Sequence, residues 1–483
     1  MHIALFASLA LAASATTQAV DGPPPAGAAW TALARADVAA ALDLIQTNHP
    51  GAARELGDTA FQERLRVARA NAEQRLPLVR DYFAHAALMT ALANDFRDGH
   101  IWSNAILSPS RRRWAGVIMA RRGGKWVVGA EDSAAPGVRL KGAELVDCDG
   151  IPADRFGRER TGTFHAHPDV EADLAGRAYT LLLDEQSPYV RRPASCRFRL
   201  TGGSIAKVDL KWREIGTRPL ETQIVDTLRP VKAGMGVSDF AGGQWISLES
   251  LDNRAAAVID QVRAAQAALR AAPMVVLDLR GNSGGNSQYA VEIARALVGE
   301  ARTRAADGGG AGCDGVAWRV SRDNAAALAK FAAELPPDRA PEWQAQATAL
   351  TAAVAQGRAF SPDLPSCATA PVRDTGPPSK LPASAMRGRL ILLTDRACFS
   401  SCLMATKLFR DLGALHVGEA TDMSTRYMEV REIVLPSGLR TFSTLQKVAL
   451  GTSDFGPYSP AVLYPDALDD TDKLKAWVAA LPR

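Results

Sequence analysis

Val275-Val276-Leu277-Asp278-Leu279-Arg280-Gly281-Asn282-Ser283-Gly284-Gly285 and Ile391-Leu392-Leu393-Thr394-Asp395-Arg396-Ala397-Cys398-Phe399-Ser400-Ser401-Cys402 are two stretches of this chain built on the same plan. Each is a short apolar run that breaks into small or polar residues just before a helical pattern. An α/β protein presents backbone amides and a nucleophile in this way at the carboxyl edge of its sheet. Gly284 and Gly285 free the first backbone to approach a substrate oxygen closely, and Ser400 and Ser401 stand at the predicted start of a helix. A serine hydroxyl is a weak nucleophile that needs an adjacent base and amides aimed at the developing charge. The two strand ends are therefore candidate halves of a nucleophile and an oxyanion hole. The plain alternatives are a helix cap for the serines and an ordinary βα turn for the glycines. A phosphate loop does not fit, because neither GxxxxGK[ST] nor GxGxxG occurs here.

The flanks continue the pattern. Gly243 to Leu248 reads as a strand, Ala255 to Ala271 as a helix, Met274 to Leu279 as a buried strand and Ser287 to Val298 as a helix. The order resumes with a strand at Arg389 to Leu393, a helix through Leu412 and a strand at Leu415 to Gly418. Such alternation predicts a mainly parallel sheet covered by helices. Residues 301–386 interrupt it with Gly308-Gly309-Gly310, an Ala-rich helical pair around Phe331 and Trp343, and a Pro-rich stretch, and read as an insertion that could serve as a lid. Upstream, residues 30–107 carry apolar positions at helical spacing, such as Val38, Leu42 and Ile45, and predict a small helical domain ending at Arg97-Asp98-Gly99-His100. Residues 113–214 change to short β-like runs, among them Trp114 to Met119, and predict a compact β-rich module.

At 483 residues the chain is too long for one ordinary domain. A net charge of +4 without a long Lys/Arg run argues against a nucleic-acid partner. Met1 to Ala13 is an apolar run too short to span a bilayer, followed by small residues with an A-x-A site at Ala13-Ser14-Ala15. Residues 1–19 read as a secretory signal peptide, and no later run is long enough for a stable membrane span. The expected location is therefore periplasmic or secreted. Six cysteines fit an oxidising compartment, and their grouping suggests Cys148 with Cys196, Cys313 with Cys367, and Cys398 with Cys402, out of fifteen possible connectivities.

A base must be sought among seven histidines. His2 would leave with the signal peptide, His85 and His416 read as core residues, His49 sits in an Asn-His-Pro turn, and His165 and His167 lie in the β module. His100, at the end of the helical region, is what remains, with a helix-end cap as its ordinary alternative.

These pieces, in this order, resemble the S41 serine peptidases, the group containing the C-terminal processing (tail-specific) proteases and the tricorn core protease. The resemblance rests on Asp98-Gly99-His100, on a PDZ-like Gly142-Ala143-Glu144-Leu145-Val146-Asp147-Cys148-Asp149-Gly150, and on Leu277 to Gly285. It extends to Ser400, Gly418-Glu419-Ala420-Thr421 and Tyr464-Pro465-Asp466. It implies an α/β multidomain fold. An N-terminal helical domain (26–108) and a PDZ-like module (113–216) would precede a ClpP/crotonase-like αβ catalytic core (225–483) carrying the insertion. It implies Ser400 as nucleophile, with the Ser401 amide and that of Gly284 or Gly285 as oxyanion donors, and a peptide or protein substrate. No metal or cofactor is expected, since the cysteines show no zinc spacing and no HExxH occurs.

The sequence departs from the processing proteases, whose lysine position is occupied here by Ser424. The tricorn-like branch uses a histidine instead, which maps onto His100. That branch has a serine before the histidine, where this chain has Gly99, and a late glutamate that is missing here. The group orienting His100 is left open among Ser103, Glu419 and Asp466. The alternative function is a catalytically inactive, S41-like ligand- or peptide-binding protein.

Overall fold

A computed structural model describes residues 27–106, 111–132, 137–162, 164–231, 233–307, 315–337, 339–369, 380–451 and 456–482. The signal-peptide segment, Gly308 to Gly310 and Cys313 lie outside the described residues, and the Cys313–Cys367 pairing with them.

The central sheet has six strands in the order Met235–Phe240, Gly243–Leu248, Met274–Asp278, Arg389–Thr394, Leu415–Gly418 and Val462–Leu463. The first pair is antiparallel and the rest are parallel. Because side chains alternate along a strand, each apolar run feeds two cores. Val275, Leu277, Leu390 and Leu392 pack beneath the helices Ala255–Ala264, Gln288–Val298 and Ser401–Asp411. Val276, Ile391, Leu393 and Val417 face Leu474 and Val478 of the helix Thr471–Ala479. Burial on both faces is why these strands read as continuous hydrophobic runs.

A second sheet is antiparallel, in the order Phe360–Ser361, Val316–Arg319, Thr441–Ala449 and Tyr427–Val434. Two of its strands come from residues 301–386, so this segment is built into the sheet rather than laid over the molecule as a lid. Its helices Arg322–Glu334 and Ala340–Ala355 close a small core with Trp318 and Trp343.

The N-terminal helices Gly27–Asn48, Thr59–Arg75 and Tyr82–Asn94 share one core with this sheet. Trp30, Ile45, Phe61, Leu88 and Phe96 lie in the same cluster as Ala317, Phe360, Phe442, Leu445 and Val448. The helical region and residues 427–450 are thus one packing unit. Within it His85 is bonded to Asp37 in a fully buried pair.

The β module has a sheet in the order Val117–Arg122, Lys125–Glu131, Glu144–Cys148, Ser195–Arg199 and Ile205–Asp209. The Cys148–Cys196 disulfide joins directly opposed residues on two of these strands. The single strand expected from Trp114 to Met119 is two. Arg111–Trp114 belongs to a separate three-stranded sheet, and Gly116, at φ +85°, breaks the chain before Val117. No helix among the described residues is long and apolar enough to cross a membrane.

Candidate active site

Asp278 and Leu393 are register partners at the carboxyl ends of adjacent parallel strands, so the two loops that follow must emerge side by side. They meet at van der Waals distance. A Cβ placed on Gly284, whose φ is +106°, would lie 2.8 Å from Ser400 Cβ and 3.0 Å from the Ser401 nitrogen. Only glycine permits that approach.

The two serines are treated differently. Ser401 is buried and its hydroxyl donates to the Gly285 carbonyl at 2.6 Å. Ser400 precedes the helix, is half-buried, and makes no side-chain capping bond. Its backbone lies at φ +56°, ψ −126°, a strained conformation for a residue with a side chain. A tight strand-to-helix turn of this kind lifts a hydroxyl out of the helix and into the open. Capping therefore does not account for Ser400.

The amides separate as well. Gly284 N–H is bonded to the Asn282 side-chain oxygen at 2.9 Å, while Asn282 itself is held by the Leu248 carbonyl at 2.7 Å. Among the described residues, Gly285 N–H and Ser401 N–H have no acceptor. The latter sits at a first helical position, where no intrahelical acceptor exists. Cys398 and Cys402 form a disulfide across this turn.

His100 arrives from the helical region. Its Nδ1 lies 3.0 Å from Asp98 Oδ1, which also accepts the His100 backbone N–H at 2.9 Å. Thr425 donates to the other oxygen of Asp98, and Ser424 Oγ is 3.4 Å from His100 Nδ1. Asp98 is fully buried; burial pushes its carboxyl up, but the bonds from His100 and Thr425 leave it below the usual range. With Nδ1 facing a carboxylate, the proton sits there and Nε2 is left to accept. The His100 ring lies 4.4 Å from that of Phe399, the residue before Ser400. From behind, Ser443 Oγ donates to the His100 carbonyl at 2.8 Å and accepts the Trp102 N–H at 2.8 Å.

None of the three expected orienters faces His100. Ser103 donates to the Thr441 carbonyl and receives Arg440; Glu419 pairs with Arg396 at 3.1 Å; Asp466 lies 3.8 Å from Arg122. Asp98 fills that position, two residues before the histidine. The available signal was the Asp-Gly-His spacing, since an aspartate commonly turns back on the backbone two residues on. Ser424 and Thr425 support this pair where the processing-protease lysine would stand. Lys407 is tied to Asp411 at 2.6 Å, and Lys447 is buried against the Trp318 and Trp343 rings. His416 is buried against Thr394, and burial lowers its imidazole to about 4, the behaviour of a core histidine.

Gly99 is explained by the same contacts: a Cβ there would meet the Phe399 ring at 2.8 Å. Gly99→Ser should displace Phe399 and with it His100, lowering the hydrolytic rate by about tenfold to a hundredfold. Steady-state kinetics on the folded variant measure this, and an unchanged rate would show that Phe399 does not brace the histidine.

The class that fold and sequence define is a serine-type peptidase. Residues 245–449 match Peptidase family S41. Among solved structures, mature CPAF is similar in fold, with a TM-score of 0.58 at 12% identity over 94% of this chain and 97% of that one. Mature CPAF complexed with lactacystin gives a TM-score of 0.57 at 13% identity over 93% and 97%. At such identities the likeness is one of fold. No curated protein matches the chain significantly.

Proposed function

We propose that the protein hydrolyses peptide bonds through an acyl-enzyme on Ser400. His100 Nε2 takes the Ser400 proton as Oγ attacks the scissile carbonyl, and the Ser401 and Gly285 amides hold the oxyanion. The imidazolium then returns its proton to the leaving amine. Water, activated by the same nitrogen, releases the acyl group and regenerates Ser400. Asp98 holds the tautomer that leaves Nε2 free and stabilises the transient positive charge. The reading is carried by one observation: the Asp98–His100 pair packs on Phe399, immediately before a serine whose backbone is strained and whose hydroxyl caps nothing.

The β module is read as PDZ-like, holding an extended peptide by strand addition. The apolar amino terminus and two disulfides support export to the periplasm or beyond. A fluorophosphonate probe should label the oxidised protein, and peptide mapping should place the adduct on Ser400. An adduct on Ser401, or a folded sample that takes no label, would overturn this reading.

A further inference from the structure

We propose that Asp395 is a positioning residue whose ionised carboxylate ties the glycine loop to the serine loop; the inference rests on Ser400 being the nucleophile. Asp395 is the first residue beyond the strand Arg389–Thr394 and is 4% exposed. One of its oxygens accepts the Gly281 N–H at 3.0 Å and the other accepts the Ala397 N–H at 3.0 Å. Gly281 opens the turn that delivers Gly284 and Gly285, and Ala397 lies three residues before Ser400. The last sheet bond between the two segments is Leu279 N–H to the Leu393 carbonyl at 2.8 Å. Past it, the loops are joined by a long 3.4 Å contact from Phe399 N–H to the Asn282 carbonyl, by Ser401 Oγ, and by Asp395. Asp395 is therefore the short bridge at the root of both loops, where a small rotation displaces the oxyanion donor and the nucleophile relative to each other.

The bridge needs both oxygens as acceptors. A protonated carboxyl turns one of them into a donor facing an N–H, and that arm opens. The charged groups around it work in opposition. Glu419, on the loop after Leu415–Gly418, adds repulsion, while Arg396, paired with that glutamate at 3.1 Å, partly offsets it. Asp278, which ends the strand Met274–Asp278, and Arg280, at the start of the glycine loop, are closed on each other at 2.6 Å. Burial first, and Glu419 second, push the Asp395 carboxyl up to about 7, against the two amides and Arg396. Activity should thus fall as pH drops through 7. The folded chain holds this proton more tightly than the unfolded chain, so the group adds stability as pH falls from 7 towards 4. Loss of activity should therefore precede any loss of fold.

The test is the second-order rate constant for fluorophosphonate labelling from pH 5 to 9, with the thermal midpoint recorded in parallel. The wild type should lose labelling below pH 7 while its thermal midpoint holds. Glu419→Gln, which removes the repelling charge, should move that limb to lower pH by about one unit or more. A limb set by a group remote from Glu419 is not displaced in that way. Asp395→Asn should label about a hundredfold more slowly at pH 8.5, with the Asp395 contribution to the limb gone. A Ser400 label whose pH profile is the same in the wild type and Glu419→Gln would overturn the role of Asp395 alone, as would wild-type labelling by Asp395→Asn. A wild type without label on Ser400 at any pH would remove the nucleophile assignment and this inference with it.

Discussion

Ser400→Ala is expected to lower kcat about a millionfold, the scale seen when a serine hydrolase loses its nucleophile. The size follows from the division of labour at the two strand ends. Without the hydroxyl no acyl-enzyme forms, and the Ser401 and Gly285 amides can stabilise only direct attack by water. A residual rate of about a thousandfold over water is the usual contribution of such donors and binding. Ser401→Ala provides the contrast. It removes the 2.6 Å bond to the Gly285 carbonyl but leaves the Ser401 amide in place, so its effect should be far smaller. Active-site titration with the fluorophosphonate, alongside the far-UV spectrum of each variant, measures both. If Ser401→Ala were the inactive variant and Ser400→Ala the active one, the assignment of the two serines would be reversed.

Asp98→Asn should cost about ten-thousandfold in kcat with the fold intact, by analogy with removing the carboxylate from a Ser-His-Asp triad. Asp98 Oδ1 accepts both N–H groups of His100, and the other oxygen accepts Thr425. An asparagine keeps the shape and the packing. It can, however, turn an NH2 towards Nδ1, which shifts the imidazole proton to Nε2 and leaves no lone pair for the Ser400 proton. Kinetics and thermal unfolding of the same sample decide the matter: a rate within about tenfold of the wild type would mean that Asp98 only shapes the turn. Thr425→Val tests the layer behind. It removes one bond to Asp98 without touching His100 and should cost less than Asp98→Asn.

The legible parts of this molecule are those set by local periodicity and by residue chemistry at a strand end. The runs Met274 to Leu277 and Leu390 to Leu393 are apolar at every position because both faces of the sheet are covered, and this marks parallel strands before any contact is known. The glycine pair and the serine pair at their ends announce a close backbone approach, and the two loops do lie so close that a Cβ on Gly284 would fall 2.8 Å from Ser400 Cβ. The orienter of His100 was less legible. Glu419 and Asp466 stand far along the chain and Ser103 three residues on, whereas the bond is made within Asp98-Gly99-His100. A carboxylate two residues away is hard to credit until its other oxygen is seen anchored by Thr425.

Taken alone, the amino-acid sequence determined the central sheet, the two candidate loops and the short list of groups able to do acyl-transfer chemistry, because these depend on spacing and side-chain type. Only the tertiary structure decided which serine is free, through a backbone at φ +56°, and which amide is free, through the bond between Gly284 and Asn282. It also decided how His100 comes to lie against Phe399, next to Ser400 in the chain. The helices before it do not form a body of their own; they share their core with residues 427–450, and that sheet supplies Ser443, while Ser424 and Thr425 lead directly into it. Burial of this common apolar surface fixes the histidine segment beside a loop some three hundred residues away. No local pattern encodes such a placement, since it arises from the packing of two distant stretches of chain.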